Sequence, residues 1–368
     1  MEGNRHEQYM KQALQLAQKG EGYVAPNPMV GAVIVKDGRI IGSGYHEHYG
    51  GPHAEVNAIA DAKEDVSGAT MYVTLEPCSH YGKTPPCVDK IIDNKISKVV
   101  IGTLDPNPLV QGKGVKKLKE AGIDVITGIL EEECKELNEV FMKYIVTKKP
   151  FVVLKTAMTL DGKIATASGE SKWITSDNSR KEVHKLRNEL SAIMVGVNTV
   201  IKDNPKLTCR IEGGKNPVRI IVDSKLRIPT TSEVVVDNLA KTIVATTELA
   251  DKEKILALEK LGVKVVITKS KNNRVNLQSL MIELGKIGID GILLEGGATL
   301  SFSALEENIV DKIQVYIAPK IIGGEKSKTS IGGQGIKKLS DAIELKDMTV
   351  KSISPDLLVE AYLRGGEK

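Results

Sequence analysis

The sequence predicts an α/β protein of two domains. Three observations predict it. Strand-like apolar runs alternate with helix-patterned stretches, a polar proline-marked break falls at Lys148-Lys149-Pro150, and 368 residues exceed the usual single core. The expected domains are therefore residues 1–148 and 149–368.

The chain opens with a helix pattern carrying Met10, Leu14 and Ala17 on one face and Gly20 as its stop. Ala25-Pro26-Asn27-Pro28 is a loop by its prolines. Val30 to Val35 is a buried-strand run, Asp37-Gly38 a hairpin turn, and Ile40-Ile41 begins the return strand. A helix from His53 to Ala62 follows, then strand 69–75 and a loop with a short helix over 76–93. Strand 98–102, helix 113–121, strand 123–127 and helix 131–145 complete the first half. A hairpin followed by such alternation makes a mixed sheet covered by helices.

Beyond the break, strands are predicted at 151–155, 192–195, 218–223, 242–246, 263–267, 291–294 and 312–317. Helices fall near 177–190, 251–261, 275–286 and 298–306, which makes a second α/β domain. No internal repeat or low-complexity tract interrupts the pattern.

Composition narrows the function. An apolar share of 41% and a charged share of 27% fit an ordinary globular protein rather than a disordered or collagenous one. No apolar run approaches the roughly 18–20 residues of a membrane span. The charged, helix-patterned N-terminus lacks a signal core, so a cytoplasmic protein without a membrane partner is expected. The four cysteines, Cys78, Cys87, Cys134 and Cys209, then point to metal or catalysis before disulfides. Cys134 and Cys209 read as incidental thiols.

The net charge of +4 is unevenly divided. Residues 1–148 hold 17 basic and 20 acidic side chains, the remainder 34 and 27. A basic second half suits a phosphorylated small ligand or dinucleotide. Neither half has the dense basic stripe of a nucleic-acid binder, and 4% aromatic residues disfavour a base-stacking surface.

His53-Ala54-Glu55, then Pro77-Cys78 and Cys87, form the strongest chemical signal. H-x-E with a downstream P-C and a second Cys is the signature of zinc nucleobase deaminases. One imidazole and two thiolates fill three tetrahedral positions and leave the fourth open, as catalytic zinc requires. Glu55 is placed to move protons rather than to bind metal. The eight residues between the cysteines depart from the compact P-C-x-x-C spacing. A closed structural site, with His46, His48 or His80 as fourth ligand, is the competing arrangement.

The blocks APNPMVGAVIV, GPHAEVNAI and TLEPCSHYGKTPPC resemble the deaminase half of the bifunctional deaminase–reductases of riboflavin biosynthesis. KTAMTLDGKIAT, SGESKWIT, VGVNTVIKDNPKLTCR and LLEGGATL carry the resemblance through the reductase half, so it covers nearly the whole chain. It implies a cytidine-deaminase-like α/β/α sandwich followed by a dihydrofolate-reductase-like α/β domain. It implies one Zn²⁺ on His53, Cys78 and Cys87, with Glu55 as proton shuttle, and NADPH in the second domain.

The same resemblance implies site residues. In the deaminase half, Asn27 faces the pyrimidine edge, and His46, Lys83 and Thr84 are candidates for ribose and phosphate contacts. In the reductase half it places NADP at Ala157, Trp173, Thr199, Asp203 and the turn of Gly297, Ala298, Thr299, Leu300, Ser301, Phe302 and Ser303. Glycines at a strand-to-helix turn let backbone N–H groups approach a phosphate. Substrate contacts are Ser171, Arg187, Leu207, Arg210 and Glu295. Arg187 and Arg210 offer forked donors suited to a phosphate.

Lys155, leaving an apolar strand, needs a partner for its charge and joins the substrate contacts. Trp173 reads either as a stacking face or as core. Asp203 reads as a turn residue or as one that orients or protonates the sugar. Ser224 and Arg227 are candidates for the cofactor 2′-phosphate. A substrate that is a phosphoribosylated pyrimidine, and association into a homo-oligomer, are expected. The alternatives from other classes are a nucleic-acid-editing deaminase with an accessory domain and a metal-stabilised binding protein without catalysis.

Overall fold

The structure is a computed structural model that describes residues 2–81, 85–107 and 110–364. The chain separates into two compact units, Met1–Lys148 and Lys149–Lys368.

In the first unit, helix α1 (Glu2–Ala17) precedes the hairpin of β1 (Gly31–Lys36) and β2 (Arg39–Tyr45). Then follow α2 (Ala54–Asp61), β3 (Thr70–Leu75), α3 (Cys87–Asp93), β4 (Lys98–Thr103), α4 (Lys113–Glu120) and β5 (Asp124–Thr127). Helices α5 (Glu131–Leu137) and α6 (Glu139–Thr147) close the unit. The sheet order is β2-β1-β3-β4-β5, antiparallel through β3 and parallel from β3 to β5. Successive β1 side chains serve opposite faces. Ala32 and Ile34 join the core with α2 and α3, while Val33 and Val35 pack with Met10 and Ala13 of α1. Helices thus cover both faces, as a sandwich requires.

Two local devices in this unit bear on chemistry. Gly44 lets α2 lie against β2, because a Cβ there would fall 2.7 Å from the Ala54 carbonyl oxygen. The helix expected at 131–145 is two helices broken at Asn138. The buried Asn138 side chain accepts from Met29 N–H (2.8 Å) and donates to Met29 C=O (2.9 Å), so its backbone leaves the helical region. Asn favours such local capture over helix continuation.

The second unit holds β6 (Phe151–Thr159), α7 (Asp177–Glu189), β7 (Ala192–Gly196), α8 (Val197–Asp203) and β8 (Val218–Val222). It continues with α9 (Glu233–Val236), β9 (Thr242–Thr247), α10 (Lys252–Lys260) and β10 (Lys264–Thr268). A small hairpin, β11 (Ser270–Lys271) and β12 (Arg274–Val275), leads to α11 (Leu277–Lys286), β13 (Gly291–Glu295), α12 (Ala298–Glu306) and β14 (Lys312–Ala318). The last elements are β15 (Leu345–Ile353) and β16 (Asp356–Leu363), a hairpin that the sequence reading does not anticipate, like α8.

The nine-stranded sheet runs β10-β9-β8-β7-β13-β6-β14-β16-β15, parallel up to β14 and antiparallel beyond. Its central strands are nearly continuous apolar runs because helices cover both faces. From β6 the chain steps over the later β13 to reach β7, and then winds outward to β10. The strand order reverses there, and ligand crevices form at the carboxyl ends of strands at such a reversal.

Candidate active sites

In the first unit, three segments bring three metal-ligating side chains together. His53 is the residue preceding α2, Cys78 lies in the loop after β3, and Cys87 is the first residue of α3. Their donor atoms all lie within 4.8 Å of one another. His53 Nδ1 is 3.2 Å from Cys87 Sγ and 3.6 Å from Cys78 Sγ. Tetrahedral zinc with ordinary Zn–N and Zn–S lengths would separate such donors by about 3.5 Å. The donor set fits zinc.

The group comprises three ligands among the described residues, and His46, His48 and His80 are not part of it. Both ring nitrogens of His46 are otherwise engaged. Nδ1 lies 3.0 Å from the Pro52 carbonyl oxygen, and Nε2 3.2 Å from Asn27 Nδ2. Asn27 and His46 are therefore joined beside the cluster, with the His46 ring edge-on to His53. Lys83 and Thr84 lie outside the described residues.

Electrostatics around the cluster is unusual. Glu55, in the first turn of α2, is buried, and burial pushes its carboxyl up to about 7. The neighbouring Cys87 holds the Cys78 thiol down to about 4. The same contact, together with burial, pushes the Cys87 thiol well up, so without metal Cys78 is the thiolate of the pair.

Motif spacing did not reveal Glu76. This buried carboxylate accepts the backbone N–H groups of Asp105 (3.3 Å), Gly112 (3.0 Å), Gly114 (3.0 Å) and Val115 (3.1 Å). It ties the segment after β4 to the strand end two residues before Cys78. Asp105 is also new: it is buried near Glu76, His80 and Cys78, and burial raises its carboxyl to about 6. The only sequence signals were an acid before Pro77 and the turn-type run Asp105-Pro106-Asn107.

In the second unit a cavity of about 470 Å³ opens at the carboxyl ends of the central strands. Lys155 and Ala157 reach it from β6, Glu295 from β13, and Arg187 from α7. Thr199 and Asp203 come from α8, and Leu207 and Arg210 from the loop that follows. Gly297, Ala298 and Ser301 present the start of α12, and Trp173 closes one side. Ser171, Ser224, Thr299, Leu300, Phe302 and Ser303 do not line the cavity. Ser224 Oγ accepts from Val275 N–H, Ser303 Oγ from Arg274, and Arg227 donates to Asn198.

Trp173 is not core. Its side chain is 58% exposed and carries the Arg180 guanidinium 4.6 Å from its ring centre. Lys155 has the partner its burial demands, Glu295 at 3.9 Å, and lies 5.8 Å from the Tyr316 ring centre. Arg187 pairs with the same carboxylate. Gly296 and Gly297 both have positive φ (80° and 86°), which frees the backbone to turn from β13 into α12 without a side chain in the cavity.

A three-ligand metal cluster beside a buried glutamate, and an α/β cavity at a strand-order reversal, define a two-site enzyme built from a zinc-type deaminase domain and a reductase-type domain. Comparison with known proteins agrees. Residues 3–103 match the cytidine and deoxycytidylate deaminase zinc-binding region, and residues 150–359 match the RibD C-terminal domain. Riboflavin biosynthesis protein RibD of Actinobacillus pleuropneumoniae is 51% identical over 352 residues, covering 96% of this chain and 94% of that protein. The Aquifex aeolicus protein of the same name is 49% identical, covering 95% and 96%.

Among solved structures, a diaminohydroxyphosphoribosylaminopyrimidine deaminase/5-amino-6-(5-phosphoribosylamino)uracil reductase from Thermotoga maritima is 43% identical. It superposes with a TM-score of 0.87 over 99% of this chain and 100% of that one. Acinetobacter baumannii RibD is 37% identical, with a TM-score of 0.88 over 98% and 99%. The chain belongs to the RibD family of riboflavin biosynthesis, bifunctional enzymes that join a zinc-binding deaminase domain to a reductase domain. The nucleic-acid-editing alternative is not favoured.

Proposed function

We propose that residues 1–148 deaminate 2,5-diamino-6-(5-phosphoribosylamino)pyrimidin-4(3H)-one, and that residues 149–368 reduce its ribosyl group with NADPH to give 5-amino-6-(5-phosphoribitylamino)uracil. The observation that carries this reading is the meeting of His53, Cys78 and Cys87 from three elements beside the buried Glu55. The substrate named for the Thermotoga maritima relative supports it.

His53, Cys78 and Cys87 would hold one zinc ion per chain. When bound, zinc supplies the Lewis acidity that makes a water nucleophilic near neutral pH. Glu55 takes a proton from the attacking water at its carboxylate and hands it to the departing amine, which leaves as ammonia while the ring carbon gains oxygen. A carboxyl accepts the proton in its ionised form and returns it from its protonated form, so one side chain serves both halves of that exchange. Asn27, its amide held by His46, presents hydrogen bonds to the pyrimidine edge.

In the second unit, Thr199, Asp203, Trp173 and the start of α12 bind the cofactor. NADPH supplies the hydride. Arg187, Arg210 and Glu295 hold the phosphoribosyl group with its C1 toward the nicotinamide. A proton must reach the ribosyl ring oxygen as C1 is reduced, and Lys155 and Asp203, which both line the cavity, are the candidates to supply it.

The reading extends to the setting. Among the described residues no helix is long and apolar enough to cross a membrane, and Cys78, Cys87, Cys134 and Cys209 are free thiols, in keeping with action in the cytoplasm. Met348 and Val350 are exposed on the edge strand β15, which supports self-association. The test is to incubate the purified zinc protein with the diaminopyrimidinone and follow ammonia and NADPH together. Ammonia first, then NADPH oxidation only after deamination, is expected. Neither signal with zinc present overturns the reading.

A further inference from the structure

Arg187 and Arg210 both line the reductase cavity, but they are held in opposite ways. The Arg187 charge is matched by Glu295 through two hydrogen bonds. Arg210 has no ion pair among the described residues. Its Nε–H donates instead to His184 Nε2 at 3.1 Å, from the face of α7 that one turn later carries Arg187. The same face secures the loop at two further points: Arg187 Nη1 donates to Thr208 C=O (2.9 Å), and Cys209 Sγ to His184 C=O (3.4 Å).

An arginine is always a donor, so His184 Nε2 accepts and the neutral ring carries its proton on Nδ1. Nδ1 is buried without a hydrogen-bond partner. That arrangement satisfies Arg210 and leaves the histidine itself unsatisfied. Burial and the adjacent Arg187 and Arg210 charges hold the ring pKa down to about 4, so the ring stays an acceptor at neutral pH.

We propose that His184 is the positioning residue for Arg210: as a neutral acceptor it fixes the guanidinium through Nε and leaves both terminal nitrogens, with their full charge, for the phosphate of the ligand. An aspartate or glutamate in its place would fix the same group and cancel that charge. The inference rests on the reading of this cavity as a phosphoribosyl site, with Arg210 as a phosphate contact.

The test uses the full chain and ribose 5-phosphate as probe, its affinity measured by calorimetry. KM and kcat for the deaminated phosphoribosyl substrate are measured beside it. His184→Leu is expected to weaken ribose 5-phosphate by roughly tenfold or more and to raise KM in step while kcat at saturation stays within about threefold. His184→Gln, which keeps an acceptor, restores most of the affinity. His184→Glu keeps the contact yet binds the probe as weakly as His184→Leu, because it neutralises Arg210. Ammonia release by the first unit reports that each variant is folded there, and a melting curve reports on the second. Parental affinity in His184→Leu alongside weakened binding in Arg210→Ala would overturn the role of His184 alone. Parental affinity in Arg210→Ala itself would overturn the phosphate reading of the cavity beneath it.

Discussion

Arg187 grips Glu295 with two parallel hydrogen bonds, Nε to Oε1 at 2.8 Å and Nη2 to Oε2 at 3.1 Å, although 108 residues separate them in the chain. The pair ties α7 to the end of β13, and Lys155 shares the carboxylate from β6 at 3.9 Å. Two largely covered cations thus depend on one largely covered anion.

Removing that anion isolates both cations. Glu295→Gln is expected to destabilise the second unit by about 3–5 kcal/mol and to abolish NADPH oxidation while ammonia release persists. Thermal unfolding followed beside both assays checks it. The pair also sets a pH response. Arg187 and Lys155 hold the Glu295 carboxyl below its ordinary value despite the opposing effect of burial. A depressed carboxyl gives stability that is complete above the unfolded value, about 4.3, and lost as pH falls through the folded one. The stability lost by the second unit on going from neutral pH to below about pH 4 is therefore expected to be smaller in Glu295→Gln, which starts less stable, than in the parent.

Glu55→Gln keeps the size of the side chain and removes its proton-accepting oxygen. Ammonia release is expected to fall by at least about 10²–10⁴-fold with zinc content unchanged. Reduction of supplied deaminated substrate should continue at the parental rate. Metal analysis and the two assays check it; loss of zinc in the variant would make Glu55 part of the metal site instead.

Glu76 meets four backbone N–H groups with a group that only accepts. In Glu76→Gln the new NH₂ would face donors at Asp105 and Gly112 or at Gly114 and Val115, whichever way the amide turns. A loss of about 1–3 kcal/mol per broken set is expected, together with easier removal of zinc by a chelator, because Cys78 lies two residues away. Urea unfolding and chelator competition on the same sample check both. Zinc retention equal to the parent would confine Glu76 to holding the loop.

How much of this was legible depends on how local each signal is. His53, Glu55, Cys78 and Cys87 stand in short motifs whose spacing states the chemistry, so the metal cluster could be read directly. The reductase cavity could not, since Lys155, Arg187 and Glu295 meet only because β13 enters between β6 and β7. Its residues came from block resemblance, and the same resemblance included Phe302, which does not line the cavity. Helix α8 was missed because Val197, Thr199, Val200 and Ile201 favour strands by their branching. The hairpin β15–β16 was missed because β15 is exposed along nearly its whole length and shows no buried alternation. His184 acts through one hydrogen-bond partner and Glu76 through four backbone N–H groups, all distant in sequence, and no periodicity encodes that.

Asn138 links a helix break to the loop that carries Asn27. Its side chain satisfies both backbone groups of Met29, two residues after Asn27, from a position 109 residues later in the chain. The Asn27 amide is in turn held by His46 Nε2. Asn138→Ala would leave the Met29 N–H and C=O without these partners and let α5 and α6 fuse, since alanine favours helix. A loss of about 1–3 kcal/mol in the first unit is expected. Because the Asn27 loop would lose its anchor while His53, Cys78, Cys87 and Glu55 keep theirs, KM for deamination should rise several-fold more than kcat falls. Steady-state ammonia release over a range of substrate concentrations separates the two. A fall in kcat alone, at parental KM, would mean that the break at Asn138 serves the metal cluster rather than the pyrimidine edge.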